Sequence, residues 1–172
     1  SPLQITVEFL HTTSHIAKNT AQSYLEKFYK TFDEVKDKYY DGLIITGAPV
    51  EQLEFEDVNY WGELNSIFEW SKTHVFSTLN ICWAAQASLY YHFGVKKEQV
   101  DDKIFGVFEH DVLIENHTLT RGFTDTFLAP HSRHTKIEEE KLPTISELDV
   151  LARSEEVGTL IAATKNLRKV FV

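Results

Sequence analysis

The chain has 172 residues, 42% of them hydrophobic and 25% charged, with a formal net charge of -9 at pH 7. That length supports one domain with a buried core, and the acidic balance excludes a general nucleic-acid binder, which needs clustered Lys and Arg to neutralise phosphates. No apolar run approaches the roughly 18 residues of a membrane span, and no N-terminal stretch reads as a signal peptide.

Apolar residues at every second position, from Leu3 to Phe9, predict a strand over residues 3–10. A polar stretch over 11–19 leads into an aromatic-rich helix over 21–32. Residues 41–47 place Leu43, Ile44 and Ile45 between turn residues, the pattern of a strand buried on both faces. Trp61, Leu64, Ile67 and Phe68 recur at helical spacing and predict a helix over 60–71. Residues 75–81 read as a second buried strand, and 84–93 as a second helix capped by Gly94. This alternation implies an α/β domain, a parallel sheet with helices on its faces. After Gly94 the pattern changes to antiparallel strands over 105–112, 117–123, 149–152, 158–163 and 169–172, while the acidic segment 135–146 reads as solvated.

One cysteine rules out an intrachain disulfide and fits a reducing cytoplasm. Cys82 falls between a predicted buried strand and a helix that begins with the small residues Ala84, Ala85 and Ala87. In α/β sheets, ligands bind at the carboxyl ends of strands. A thiol at a helix N-terminus meets aligned N–H dipoles that favour the thiolate, and a sharp strand-to-helix turn offers the following N–H groups to an oxyanion. A buried, inert thiol is the competing reading.

Ile81-Cys82-Trp83-Ala84-Ala85-Gln86-Ala87 resembles the nucleophile turn of the homoserine O-acyltransferases (homoserine transsuccinylases) of methionine biosynthesis. Four further blocks share the resemblance in order and spacing: Asp41 to Glu51, Tyr60-Trp61, Leu119-Thr120-Arg121-Gly122-Phe123, and Ala129-Pro130-His131-Ser132-Arg133. It spans practically the whole chain. The resemblance implies a three-layer, class I glutamine-amidotransferase-like (flavodoxin-like) fold with helices on both faces of the sheet. It also implies that Cys82 takes an acyl group from acyl-CoA as a thioester, and that the hydroxyl of L-homoserine receives it. Trp83 and Ala48 are then the expected backbone donors of the oxyanion hole, and Lys103 and Ser132 the expected substrate-binding residues. From the residues alone, Lys103 after Asp101-Asp102 reads equally as a surface ion pair, and Ser132 as a turn hydroxyl.

Glu51 follows Gly47-Ala48-Pro49-Val50 at the position where the succinyl-CoA users of the family have glycine. By the resemblance a glutamate there goes with acetyl-CoA. A carboxylate facing the acyl pocket repels the free carboxylate of succinate and fills its space. The alternative for Glu51 is a surface carboxylate at a helix entry. The resemblance also implies a single domain over 1–172 truncated at both ends. The family's first strand and helix precede Ser1, its catalytic His and Glu follow Val172, and His131 and His134 are the nearest substitutes as base. The expected partners are acetyl-CoA or succinyl-CoA and L-homoserine, in a cytoplasmic enzyme without bound cofactor or metal that can form a homodimer. L-serine as acceptor, a glutamine-amidotransferase-like cysteine enzyme and a non-catalytic remnant are the competing readings.

Overall fold

The computed structural model describes residues 3–14 and 22–172. In chain order these form β1 (Phe9–Leu10), α1 (Gln22–Phe28), β2 (Tyr29–Lys30), α2 (Phe32–Val35) and β3 (Tyr40–Ile45). Then come α3 (Trp61–His74), β4 (Val75–Asn80), α4 (Trp83–Phe93), β5 (Lys97–Val112), β6 (Thr126–Ile137), β7 (Leu148–Ser154), β8 (Gly158–Thr164) and β9 (Lys169–Phe171). β1 and β2 form a small parallel pair. The other seven strands form one mixed sheet in the order β3-β4-β9-β8-β7-β5-β6.

The parallel part of this sheet sets up a site. β3, β4 and β9 run in the same direction, and their registers bring Ile45, Asn80 and Phe171 level with one another. Three strand ends therefore open at one place. α3 and α4 cover the sheet there: Leu64, Phe68, Trp83 and Ala87 pack with the part-buried Ile45, while Ala85 and Leu89 pack with Ala162 and Phe171. Burial of such side chains contributes about 1.5–3 kcal/mol each for the larger ones. α4 ends where expected, with Gly94 in the left-handed region at φ 66° and its N–H on Tyr90 O at 2.8 Å.

The antiparallel part differs. β5 pairs with β6 over most of its length but reaches β7 only at Asp111 and Val112, so β5–β6 projects as a two-stranded ribbon. A register shift between Gln99 and Ile104 bends it.

Several expectations need correction. Residues 3–10 alternate like a strand, yet only Phe9 and Leu10 pair, and Ile5 is 80% exposed: alternation supplies a face but no partner strand. The expected helix over 21–32 is α1 followed by the two residues of β2, with Phe32 opening α2 under a Thr31–Glu34 capping box. Its first residue and positions 15–19 of the polar stretch lie outside the described residues. β3 is an edge strand with Ile44 63% exposed, and β4 exposes Phe76, so neither is buried on both faces. Residues 117–123 form turns rather than a strand. The strand is β6, and it runs into the segment expected to be solvated, where Thr135, Ile137 and Leu142 are buried. Pro130 disguised it, since proline is tolerated on an edge strand but argues against a central one. β9 is antiparallel only to β8 and is parallel to β4.

Candidate active site

β4 ends at Asn80 and α4 begins at Trp83, so Ile81 and Cys82 make the whole connection. Cys82 takes φ 57° and ψ -123°, a conformation that costs an L residue about 1–3 kcal/mol and persists only when its surroundings impose it. They do so through the backbone. The Cys82 N–H donates to Val172 O at 2.6 Å, the Cys82 carbonyl accepts from Ala85 and Gln86, and the Ile81 N–H donates to Ile45 O. The thiol is left exposed at the tip of this turn.

Gly47, in the loop after β3, presses against that turn. A Cβ on Gly47 would lie 2.9 Å from Cys82 Cβ and 3.3 Å from Sγ, so only glycine allows the approach. Among the described residues, neither the Trp83 nor the Ala48 N–H donates to a protein acceptor. For Trp83 this follows from its place as the first helical residue, whose N–H has no partner within the helix. A free donor on the residue next to the thiol, the Trp83 N–H, can receive a developing oxyanion.

A cavity of about 240 Å³ opens at the thiol, with Cys82, Glu51, Trp83, His131, Ser132 and Arg133 in its lining. It joins five of the residues singled out in the sequence, Cys82, Trp83, Glu51, Ser132 and His131. Ala48 is not in the lining; it packs against the cluster that contains Trp83. Lys103 is not in the lining: it is exposed on β5, its Nζ 5.2 Å from the centre of the Phe105 ring. The loop carrying Glu51 is tied to the ribbon, where Lys97 Nζ donates to Glu51 O at 2.8 Å and lies over the Phe55 ring.

The sequence did not reveal a histidine pair in this wall. His110 and His131 are buried and stacked at 4.9 Å, with their Nε2 atoms 2.9 Å apart. His110 Nδ1 lies 3.0 Å from Phe108 O, which can only accept, so that nitrogen carries the hydrogen. His110 Nε2 is then the acceptor and His131 Nε2 the donor, a tautomer assignment made from the network. Burial, reinforced by Arg133 and His110, holds the His131 pKa down at about 4. The buried residues Ala129, His131, Thr135 and Ile137 make up an inward-facing row of β6. His134 is part-buried, and it is not in the cavity lining. Among the described residues no group of three His, Cys, Asp or Glu side chains is set to hold a metal ion. No helix of these residues is long and apolar enough to cross a membrane.

Comparison with known proteins agrees with the resemblance. The family model described as homoserine O-succinyltransferase matches residues 1–172. The homoserine O-acetyltransferase of Acetivibrio thermocellus is 54% identical over 172 residues, covering 100% of this chain and 56% of that protein. The homoserine O-acetyltransferase of Lachnoclostridium phytofermentans is 56% identical over 172 residues, covering 100% and 57%. The chain thus spans a little over half the length of these curated relatives. A glutamine amidotransferase from Thermotoga maritima superposes with a TM-score of 0.62 at 14% identity, over 87% of this chain and 66% of that one, which shows the glutamine-amidotransferase-like fold. The chain belongs to the homoserine O-succinyltransferase family.

Proposed function

We propose that Cys82 accepts an acyl group from acyl-CoA and passes it to the hydroxyl of L-homoserine. The Cys82 thiolate attacks the thioester carbonyl, the CoA thiolate leaves, and the homoserine hydroxyl then displaces Cys82 from the enzyme thioester. The observation that carries this reading is the exposed thiol on a strained strand-to-helix turn, with the free N–H group of Trp83 next to it. Two curated relatives named for homoserine acetylation support it.

Acetyl-CoA is the donor in this reading, because Glu51 lines the cavity that an acyl group on Cys82 would enter. A carboxylate there leaves room for a methyl and repels a second carboxylate. His131 is not the base: with a pKa of about 4 it is too weak to deprotonate a thiol at neutral pH. The role falls to a group outside the described cavity wall, as the resemblance implies. Ser132 lines the same cavity and remains the candidate for substrate contact, whereas Lys103 could contact substrate only beyond that lining. The reading makes the chain part of a cytoplasmic enzyme of methionine biosynthesis, with acyl-CoA as a substrate.

The fold shared with glutamine amidotransferases keeps a cysteine amidohydrolase as the second reading. Its elbow would be Gly-x-Cys-x-Gly, whereas Cys82 sits between Asn80-Ile81 and Trp83-Ala84. The test is CoA release by the purified protein from acetyl-CoA or succinyl-CoA with L-homoserine or L-serine, with glutamine hydrolysis run in parallel. Acetyl-CoA with L-homoserine should give the highest kcat/KM. Glutamine hydrolysis without CoA release would move the assignment to the second reading.

A further inference from the structure

Every ring nitrogen of the His110–His131 pair but one has a partner. His110 Nδ1 donates to Phe108 O at 3.0 Å, and the two Nε2 atoms lie 2.9 Å apart. The imidazoles are within 10° of parallel, Phe127 stacks on His110, and the Phe108 ring stands edge-on to His131. The remaining nitrogen is His131 Nδ1. It has no protein partner among the described residues, and it is not sealed off. His131 is 9% exposed and lines the Cys82 cavity, whereas His110 is fully buried and outside the lining.

This arrangement fixes the chemistry of the free nitrogen. His110 gives its hydrogen to a carbonyl, which can only accept, so its Nε2 must accept from His131. His131 Nδ1 is then a bare lone pair on the accessible edge of a buried ring. Burial, with Arg133 and His110 adding to it, keeps the His131 pKa at about 4, so this lone pair accepts a hydrogen bond without taking the proton.

The reactants decide what donates to it. An acetyl or succinyl group on Cys82 carries only hydrogen-bond acceptors. Once CoA has left, the reactant that bears hydrogens is the amino acid, through its hydroxyl and its ammonium. The hydroxyl must give up its proton during transfer, and so weak a base cannot take it. The ammonium keeps its protons. The charged side chains in the lining, Glu51 and Arg133, are of opposite sign, which suits a zwitterion better than a simple cation.

We propose that His131 Nδ1 binds the α-ammonium of the acceptor amino acid, and that His110 is the positioning residue that fixes the tautomer for it. This rests on the acyl-transfer reading of Cys82. It makes His131 a contact residue for the acceptor, and it gives the buried His110 a role exerted through its neighbour.

The experiment has one readout that needs no acyl transfer and one that does. Nitrogen NMR of protein labelled at histidine should show His131, assigned by its loss in His131→Phe, protonated at Nε2 and bare at Nδ1. L-homoserine should move the Nδ1 signal, and the hydroxy acid of the same length without the amine should not. In the kinetic readout, His131→Phe should raise KM for L-homoserine about tenfold or more and leave KM for acetyl-CoA within about twofold. His110→Phe keeps a ring but removes the acceptor, so it should release the His131 tautomer and raise the same KM. His110→Gln, whose amide oxygen can accept the His131 hydrogen, should restore most of the binding, which a role in packing alone would not allow. Should His110→Phe fail to fold, the tautomer and the titration of the wild-type protein still decide. An Nδ1 signal unmoved by L-homoserine in both the free and the acetylated protein overturns the proposal, as does a tautomer protonated at Nδ1. A KM change confined to acetyl-CoA also overturns it and assigns Nδ1 to an amide N–H of the CoA arm. If no form of the protein transfers an acyl group while the Nδ1 signal responds to the amine, the ammonium site stands and the transfer reading fails.

Discussion

The two parts of the sheet build the cavity from different materials. The ends of β3, β4 and β9 supply backbone: the left-handed Cys82 turn, the close approach of Gly47, and the free N–H group of Trp83. The β5–β6 ribbon supplies the side chains of His131 and Arg133, from within a paired strand whose backbone is already committed. Backbone at a strand end is free to adopt an unusual conformation, and it becomes rigid only through its neighbours. A paired strand can contribute function only by exchanging apolar for polar residues on its inward row. The strand-end half should therefore be intolerant of single atoms, and the ribbon intolerant of lost partners.

The largest effect is expected at Gly47. Gly47→Ala puts a Cβ 2.9 Å from Cys82 Cβ, in contact with the turn backbone as well, so the turn must move. Overpacking of this kind costs about 1–3 kcal/mol, and a misplaced nucleophile loses about a hundredfold in rate. Acylation of Cys82, followed by mass spectrometry, should slow accordingly. Gly62→Ala is the control: nothing lies within 4 Å of its added Cβ, and on α3 it should stabilise by about 0.5–1 kcal/mol in urea unfolding. Equal behaviour of the two variants would remove the distinction drawn for the strand-end half.

In the ribbon, Thr135→Val should cost about 1–3 kcal/mol in urea unfolding, because it leaves the buried Gln86 without the hydroxyl 3.0 Å from its Oε1. This bond ties β6 to α4, the helix that follows Cys82. A variant as stable as wild type would show that the ribbon is held by apolar contact alone.

The smallest effect belongs to Glu8, outside both parts. Lys30 and then Tyr40 hold its carboxyl down at about 2, from an ordinary 4.5. A depressed carboxylate contributes stability above the unfolded pKa, and that contribution disappears as pH falls through the folded one. Glu8→Gln should therefore lower Tm slightly at pH 7, and the difference from wild type should shrink between about pH 4.5 and pH 2. A difference that grows on acidification would contradict the assignment.

The strand-end half was largely legible in the sequence. Buried runs, helical spacing and Gly94 located β4 and α4, and the short interval between them isolated Cys82. The ribbon was not, because β6 carries Pro130 and four cationic or imidazole side chains, His131, Arg133, His134 and Lys136, on what is an edge strand. Its period-two burial is visible only once the partner strand is known. Residues 3–10 failed in the opposite way, with perfect alternation and almost no partner. Local patterning reports which face a strand could bury, and pairing decides whether it does.

The central claim is that Cys82 carries the acyl group. The direct measurement is intact and peptide mass spectrometry of the protein after brief incubation with acetyl-CoA without acceptor. An acetyl group on the Cys82 peptide, lost on adding L-homoserine and absent in Cys82→Ser, is the predicted result. Acetyl groups found only on other residues, or undiminished transfer to homoserine by Cys82→Ser, would contradict the account.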